Sequence, residues 1–182
     1  MAQEQIGLPA IETATAPASA LRFVSEPVVQ AIAQPISAQP APATASSLPA
    51  LVADMRAGDL SPELTCLAQA VYFEARGEEL TGQLAVAQVI INRAESGRFP
   101  RDYCGVVTQR GQFSFVHGGH IPSAPASSTA WHRATAIARI ADQDLWDSGV
   151  GESLYFHAAR VRPAWIRGRA QIARIDSHVF YE

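Results

Sequence analysis

The sequence predicts an α+β, mainly helical domain that closes in a small C-terminal β-hairpin and follows a disordered tether. Three observations predict this. Residues 1–60 are dominated by Ala, Pro, Ser, Thr and Gln with few aromatic residues. Three later segments carry helix start and stop signals. After Gly151 the pattern shortens to strand-length apolar runs on either side of Pro163-Ala164-Trp165. A chain of 182 residues, 48% of them hydrophobic, supports one ordinary core, so a single folded domain is expected over residues 61–182.

The tether reads as such from about Ile6 to Pro49, typified by Ile36-Ser37-Ala38-Gln39-Pro40-Ala41-Pro42. Repeated prolines and scarce aromatic side chains cannot offset the entropy of ordering the backbone. Order is expected from Ser61-Pro62-Glu63, where a serine cap, a proline at the first helical position and an acid in the first turn open a helix through Arg76 that stops at Gly77. A second helix is predicted from Thr81 to Glu95, ended by Gly97 and Pro100. Its run Val86-Ala87-Gln88-Val89-Ile90-Ile91 is apolar on most sides, which marks the buried central helix. A third is predicted over roughly Thr129–Trp146, with Trp131, Ala134, Ala138, Ala141 and Leu145 on its inner stripe and Asp142, Asp144 and Asp147 toward solvent. Residues 98–128 read as a loop too long for mere connection. The hairpin strands are Ser153–His157 and Ile175–Tyr181.

Composition excludes several chemistries. All fourteen basic residues are arginine, so Schiff-base, Ser-Lys and P-loop lysine mechanisms are absent. Residues 61–182 balance twelve acids against twelve arginines, which does not fit nucleic-acid binding. No stretch approaches the roughly 20 uninterrupted apolar residues of a membrane span. Cys66 and Cys104 lie 38 positions apart without a second pair, so a disulfide is the economical reading and two buried thiols the alternative. The start, Met1-Ala2-Gln3-Glu4-Gln5, has no basic region followed by an apolar one, so two readings stay open: an export signal upstream of this chain, or no export. His117 and His120 bracket Gly118-Gly119 without an evident third ligand, so neither a metal nor a cofactor is expected. A Cys-His nucleophile would require Cys104 to be free.

Glu74 is the most informative residue. On the first helix Thr65, Gln69 and Tyr72 form a polar side and Leu64, Leu67, Ala68, Val71 and Ala75 the core stripe, with Glu74 on the flank of that stripe. A carboxyl there is partly desolvated, which raises its pKa toward the range of a general acid. The alternative is that Glu74 simply pairs with Arg76 or a neighbouring arginine near the helix end.

Ala70-Val71-Tyr72-Phe73-Glu74-Ala75-Arg76-Gly77-Glu78 and Gly82-Gln83-Leu84-Ala85-Val86-Ala87-Gln88-Val89-Ile90-Ile91-Asn92-Arg93 together resemble the opening of the SleB-type cell wall hydrolases, the spore-cortex-lytic family. Tyr103-Cys104-Gly105-Val106-Val107, Gln112-Phe113-Ser114, Tyr155-Phe156-His157, Pro163-Ala164-Trp165 and His178-Val179-Phe180-Tyr181 match later motifs in order. The resemblance covers about residues 62–181. It implies a lysozyme-like, transglycosylase-type fold, a site in the cell envelope, periplasmic or extracellular, and Glu74 as the catalytic glutamate. It also implies peptidoglycan glycan strands as the partner and anhydro-muramic products. Gln112, Phe113, Ser114, Tyr155, His157 and Trp165 suit a sugar groove by hydrogen bonding and stacking, with core or loop packing the alternative, above all for Phe113 and Trp165. A hydrolytic muramidase or glucosaminidase would need a second carboxylate, and no obvious partner appears: Glu78 and Glu79 lie close in sequence, Asp102 lies before Cys104, and the other acids lie on the third helix or near the end. A non-catalytic peptidoglycan-binding module is the other alternative.

Overall fold

The computed structural model describes residues 45–56 and 58–182; most of the stretch read as a tether lies outside them. Residues inside that stretch nonetheless form a helix, α1 (Leu48–Asp54), capped by Ser47, whose side chain accepts from Ala50 N–H. Leu48 and Leu51 face the core and seat α1 on a later helix.

Helix α2 (Pro62–Ala75) begins as its sequence predicts: Ser61 accepts from Leu64 N–H and Pro62 occupies the first turn. Helix α3 (Leu80–Glu95) is central, with every residue from Gly82 to Ala94 buried except Gln88. Helix α5 (Thr129–Asp142) stops earlier than expected. Asp144 takes a left-handed conformation (φ 50°), Leu145 N–H donates to Ile140 O and Asp144 N–H to Ala141 O. This is a Schellman stop with Asp where Gly is usual, so it left no obvious punctuation in the sequence.

The long loop contains one further helix, α4 (Tyr103–Thr108). Gly and two valines make this a poor helix by propensity, and tertiary contacts hold it. Asp102 accepts from Gly105 N–H, and Glu63 of α2 accepts from Tyr103 N–H at 2.6 Å. Val106 and Val107 are fully buried. Gly105 is required, since a Cβ would fall 2.7 Å from Pro100 Cβ.

The C-terminal part is a three-stranded antiparallel sheet in the order β1-β3-β2, not a two-stranded hairpin. The strands are β1 (Tyr155–Ala158), β2 (Gln171–Ile175) and β3 (His178–Tyr181), with a 3-10 turn at Ala164–Ile166. The run expected as one strand from Ile175 to Tyr181 is broken at Asp176 (φ 49°) and Ser177, which turn β2 into β3. Phe156 pairs in register with Phe180, and both pack toward α3 with Ala85 and Val89. The helices thus lie against one flank of α3 and the sheet against the other. Among the described residues no helix is long and apolar enough to cross a membrane.

Cys66 of α2 and Cys104 of α4 are joined by a disulfide with their Cα atoms 5.1 Å apart, which leaves no free thiol. Closing a loop of this length stabilises a fold by about 4 kcal/mol on the chain-entropy account. The Cys66→Ser/Cys104→Ser variant is therefore expected to lose about 2–4 kcal/mol of unfolding free energy in a denaturant titration; an unchanged midpoint would show that α4 is held by packing and capping alone.

Candidate active site

The site forms where two turns interlock. The turn between α2 and α3 supplies Glu78 and Glu79, and the turn between β2 and β3 supplies Asp176 and Ser177. Glu79 N–H donates to Asp176 Oδ2 at 3.0 Å, Ser177 N–H donates to Glu78 Oε2 at 3.0 Å, and the Ser177 hydroxyl donates to Glu78 Oε1. Gln83, fully buried, donates through Nε2 to Glu78 O at 3.0 Å and fixes the turn from beneath. Gly82 permits this approach, because a Cβ there would lie 2.5 Å from Asp176 Oδ2.

The interlock carries His178, the first residue of β3, against the last turn of α2. Its Nε2 lies 3.9 Å from Glu74 Oε1 and its Nδ1 lies 3.7 Å from Glu78 Oε1. Both separations exceed hydrogen-bonding range. The imidazole is a buried wedge between the two carboxyls, with Phe156 edge-on at 5.3 Å. Burial lowers the His178 pKa below the ordinary imidazole value against the pull of Glu78 and Asp176, so the ring is neutral at pH 7. The contacts with Glu74 and Glu78 are then packing and dipolar rather than ion pairs.

The Glu74 side chain is 25% exposed, open on one side and covered on the other. Burial raises its pKa above the ordinary carboxyl value, Arg93 opposes that shift, and the Glu78 carboxylate adds to it. Arg93, on α3, is 4% exposed. It donates from Nε to Leu154 O at 2.7 Å, and its guanidinium lies 5.3–5.9 Å from the ring centroids of Phe99, Phe113 and Phe156. Burial brings its pKa down to about 10, so it stays cationic near neutrality. Glu74 is therefore poised between desolvation, which favours the acid, and a buried cation, which favours the carboxylate.

The residues expected in a sugar groove fall into two groups. Gln112 and Ser114 are exposed on the long loop, whereas Phe113 between them is buried against Phe115 and Phe156. Phe115 stacks on Phe73 at 5.2 Å, so this loop lies beside the helix turn that carries Glu74. Tyr155, His157 and Trp165 gather elsewhere. Successive strand residues face opposite sides, and Tyr155, His157 and Tyr181 point away from the face that holds Phe156, His178 and Phe180. Trp165 packs on all three at 5.7–5.9 Å. His157 Nδ1 donates to Ala158 O at 2.9 Å, which leaves Nε2 to accept from the Tyr181 hydroxyl at 3.1 Å. This aromatic cluster is separated from Glu74 by the sheet.

Two participants, Arg93 and His178, are visible in the sequence only as parts of motifs, because nothing local marks an arginine or histidine as buried. Tyr72, expected on the polar side of α2, is buried with its ring against Phe73 and Trp131. His117 and His120 pair through their backbones across Gly118-Gly119 and are exposed. Among the described residues no group of three or more His, Cys, Asp or Glu is placed to hold a metal ion.

The raised pKa of Glu74 has a consequence for stability. An unfolded carboxyl ionises first as pH rises, so between the ordinary and the folded pKa the native state holds more protons and stability falls with pH. Glu74→Gln removes that loss. Its melting temperature is expected to match wild type near pH 4 and to exceed it by a few degrees near pH 8, read by calorimetry; a variant less stable than wild type at the higher pH would contradict the desolvated carboxyl.

Residues 77–181 match the family described as Cell Wall Hydrolase, a match that begins three residues after Glu74. The spore cortex-lytic enzyme of Bacillus subtilis (strain 168) is 38% identical over 141 residues, covering 78% of this chain and 44% of that protein. The spore cortex-lytic enzyme of Halalkalibacterium halodurans is 39% identical over 124 residues, covering 68% of this chain and 36% of that protein. The chain thus spans less than half the length of these relatives. The crystal structure of the catalytic domain of Bacillus cereus SleB superposes with a TM-score of 0.55 at 34% identity, covering 70% of this chain and 95% of that one. The catalytic domain of the germination-specific lytic transglycosylase SleB of Bacillus anthracis superposes with a TM-score of 0.56 at 34% identity, covering 70% and 99%. The mainly helical architecture with its small C-terminal antiparallel sheet matches those domains. This chain belongs to the cell wall hydrolase family.

Proposed function

We propose that this chain cleaves peptidoglycan glycan strands outside the cytoplasm as a lytic transglycosylase, with residues 61–182 as the catalytic domain and Glu74 as the single acid and base. One observation carries the single-acid mechanism. Glu78, the carboxylate whose charge acts on Glu74, has both oxygens engaged by Ser177 and serves the interlock of the two turns. A two-carboxylate hydrolysis needs an acid free to attack the sugar or to activate water. A transglycosylase needs neither.

In the proposed reaction the Glu74 carboxyl donates its proton to the glycosidic oxygen as the bond to the muramic acid anomeric carbon breaks. The resulting carboxylate then takes the proton of the same sugar's 6-hydroxyl, whose oxygen closes on the anomeric carbon to form the 1,6-anhydro ring. One group must therefore be a competent acid in the first step and a competent base in the second. The opposing influences of burial and Arg93 on Glu74 suit that demand. Gln112 and Ser114, exposed on the loop beside Phe73, are proposed to hydrogen-bond the sugars, with Phe113 anchoring the loop to the core. The related Bacillus anthracis domain belongs to a lytic transglycosylase, which supports the same chemistry here. The disulfide between Cys66 and Cys104 supports an oxidising compartment.

The full-length protein and its Glu74→Gln variant, incubated with purified sacculi, test this by mass spectrometry of the released muropeptides. Anhydro products, lighter by one water than hydrolytic ones and reduced about 100-fold or more in the variant, are expected. Reducing-end products would replace the mechanism with hydrolysis. Sacculus binding without release would make the chain a binding module.

A further inference from the structure

The connection from β1 to β2 is chemically unlike the rest of the molecule. From Ser153 to Ile175 the chain holds five arginines, Arg160, Arg162, Arg167, Arg169 and Arg174, and no acidic residue. The whole chain has a formal net charge of -3, so removing this +5 leaves -8 for the remainder. The large hydrophobic side chains that stand exposed among the described residues, Val161 (46%), Trp165 (41%) and Ile172 (42%), all belong to the same stretch.

Arg169 has a structural role, with its guanidinium 3.5 Å from the Tyr155 ring centroid and Nη1 donating to Glu182 O. Arg160, Arg162, Arg167 and Arg174 are exposed, and among the described residues none of them forms an ion pair or a side-chain hydrogen bond. A cationic strip with interleaved apolar groups and no internal partner is the signature of a surface that meets an anionic, partly apolar ligand. The strip also starts at the site. Ala159 N–H donates to Ser177 O, on the residue that grips Glu78, and the charge of Arg160 reaches His178.

We propose that this arginine strip binds the free carboxylates of the peptide stems carried by the glycan, so that the protein engages stem-bearing strands in preference to strands stripped of peptide. The proposal rests on the assignment of peptidoglycan as the substrate. Stems present several carboxylates and alanine methyl groups within a few residues. The guanidinium fork matches the carboxylate, and Val161, Trp165 and Ile172 offer apolar surface to the methyl groups. A phospholipid surface would satisfy the charge, but the Ala159–Ser177 hydrogen bond sets Arg160, one end of the strip, beside the turn that grips Glu78, which favours a ligand attached to the glycan.

Binding tests this without depending on cleavage. Full-length Glu74→Gln protein is titrated with glycan strands freed from cross-links by an endopeptidase and still bearing stems, and with strands denuded of stems by an amidase, alone and with Arg160→Gln, Arg162→Gln and Arg167→Gln added. Binding to stem-bearing strands about tenfold tighter than to denuded ones, with the ratio falling toward one in the arginine variant, is expected. Exposed substitutions of this kind leave melting little changed, and single Arg160→Gln and Arg167→Gln variants, each losing part of the ratio, serve if the triple variant does not fold. Equal affinity for both kinds of strand, or an arginine variant that keeps the preference, would overturn the proposal. So would capture by phosphatidylglycerol vesicles that depends on the arginines while the two kinds of strand bind alike. Cleavage by the wild-type protein is scored separately: tight, stem-dependent binding without any released product would overturn the enzymatic assignment and leave the strip's role standing.

Discussion

A helix with almost no solvent face dictates this architecture. Between Gly82 and Ala94 only Gln88 of α3 escapes full burial, so partners must cover α3 on every side. The other helices take one flank and the sheet takes the opposite one. The polar residues within that buried stretch each make at least one hydrogen bond, although Gln83 Oε1 and Arg93 Nη1 are buried without a partner. Asn92 donates to Gly151 O and Ser153 O, Arg93 donates to Leu154 O, and Gln83 donates to Glu78 O. Each of these bonds ties α3 to irregular chain, and together they fix both the entry to β1 and the turn below Glu74.

The active-site geometry follows from that frame. With the α2–α3 turn held by Gln83, the turn between β2 and β3 docks onto it through Asp176 and Ser177. Docking in turn brings His178 beside Glu74. A neutral imidazole and aromatic neighbours desolvate the acid, while the buried Arg93 cation keeps its ionised form accessible. The aromatic cluster on the far face of the sheet anchors the arginine strip through Arg169. The two faces of one small sheet thereby differ: His178 on one packs beside Glu74, and the other carries the aromatic cluster that holds Arg169.

Much of the frame was legible in the sequence because it is local. Ser61-Pro62-Glu63 states where α2 begins, and the unbroken apolar run of α3 states that it is central. What was not legible depends on partners distant in the chain. Helix α4 needs Glu63 and Cys66 from α2, α1 needs the surface of α5, and β2, with its exposed Gln171, Ile172 and Arg174, lacks a clear period-2 pattern. The helical stripe correctly placed Glu74 at the edge of the core but put Tyr72 on the wrong side, since an aromatic ring with a hydroxyl reads as polar or apolar according to its neighbours. The grouping of Gln112, Phe113, Ser114, Tyr155, His157 and Trp165 rested on residue type, and residue type does not reveal on which face of a sheet a side chain points. Motif order, by contrast, identified the family correctly, because several short segments far apart in sequence had to agree at once.

In the proposed mechanism packing, and not proximity to a second free acid, makes Glu74 a proton donor. A carbon-13 NMR titration of the glutamate carboxyls in the full-length protein, with Glu74 assigned by its loss in Glu74→Gln, reads that claim at the group itself. A titration midpoint above the ordinary carboxyl range, which falls but stays above that range when Glu78→Gln removes the neighbouring like charge, is expected. A midpoint at or below the ordinary value would show a carboxylate already ionised at neutral pH and would contradict it.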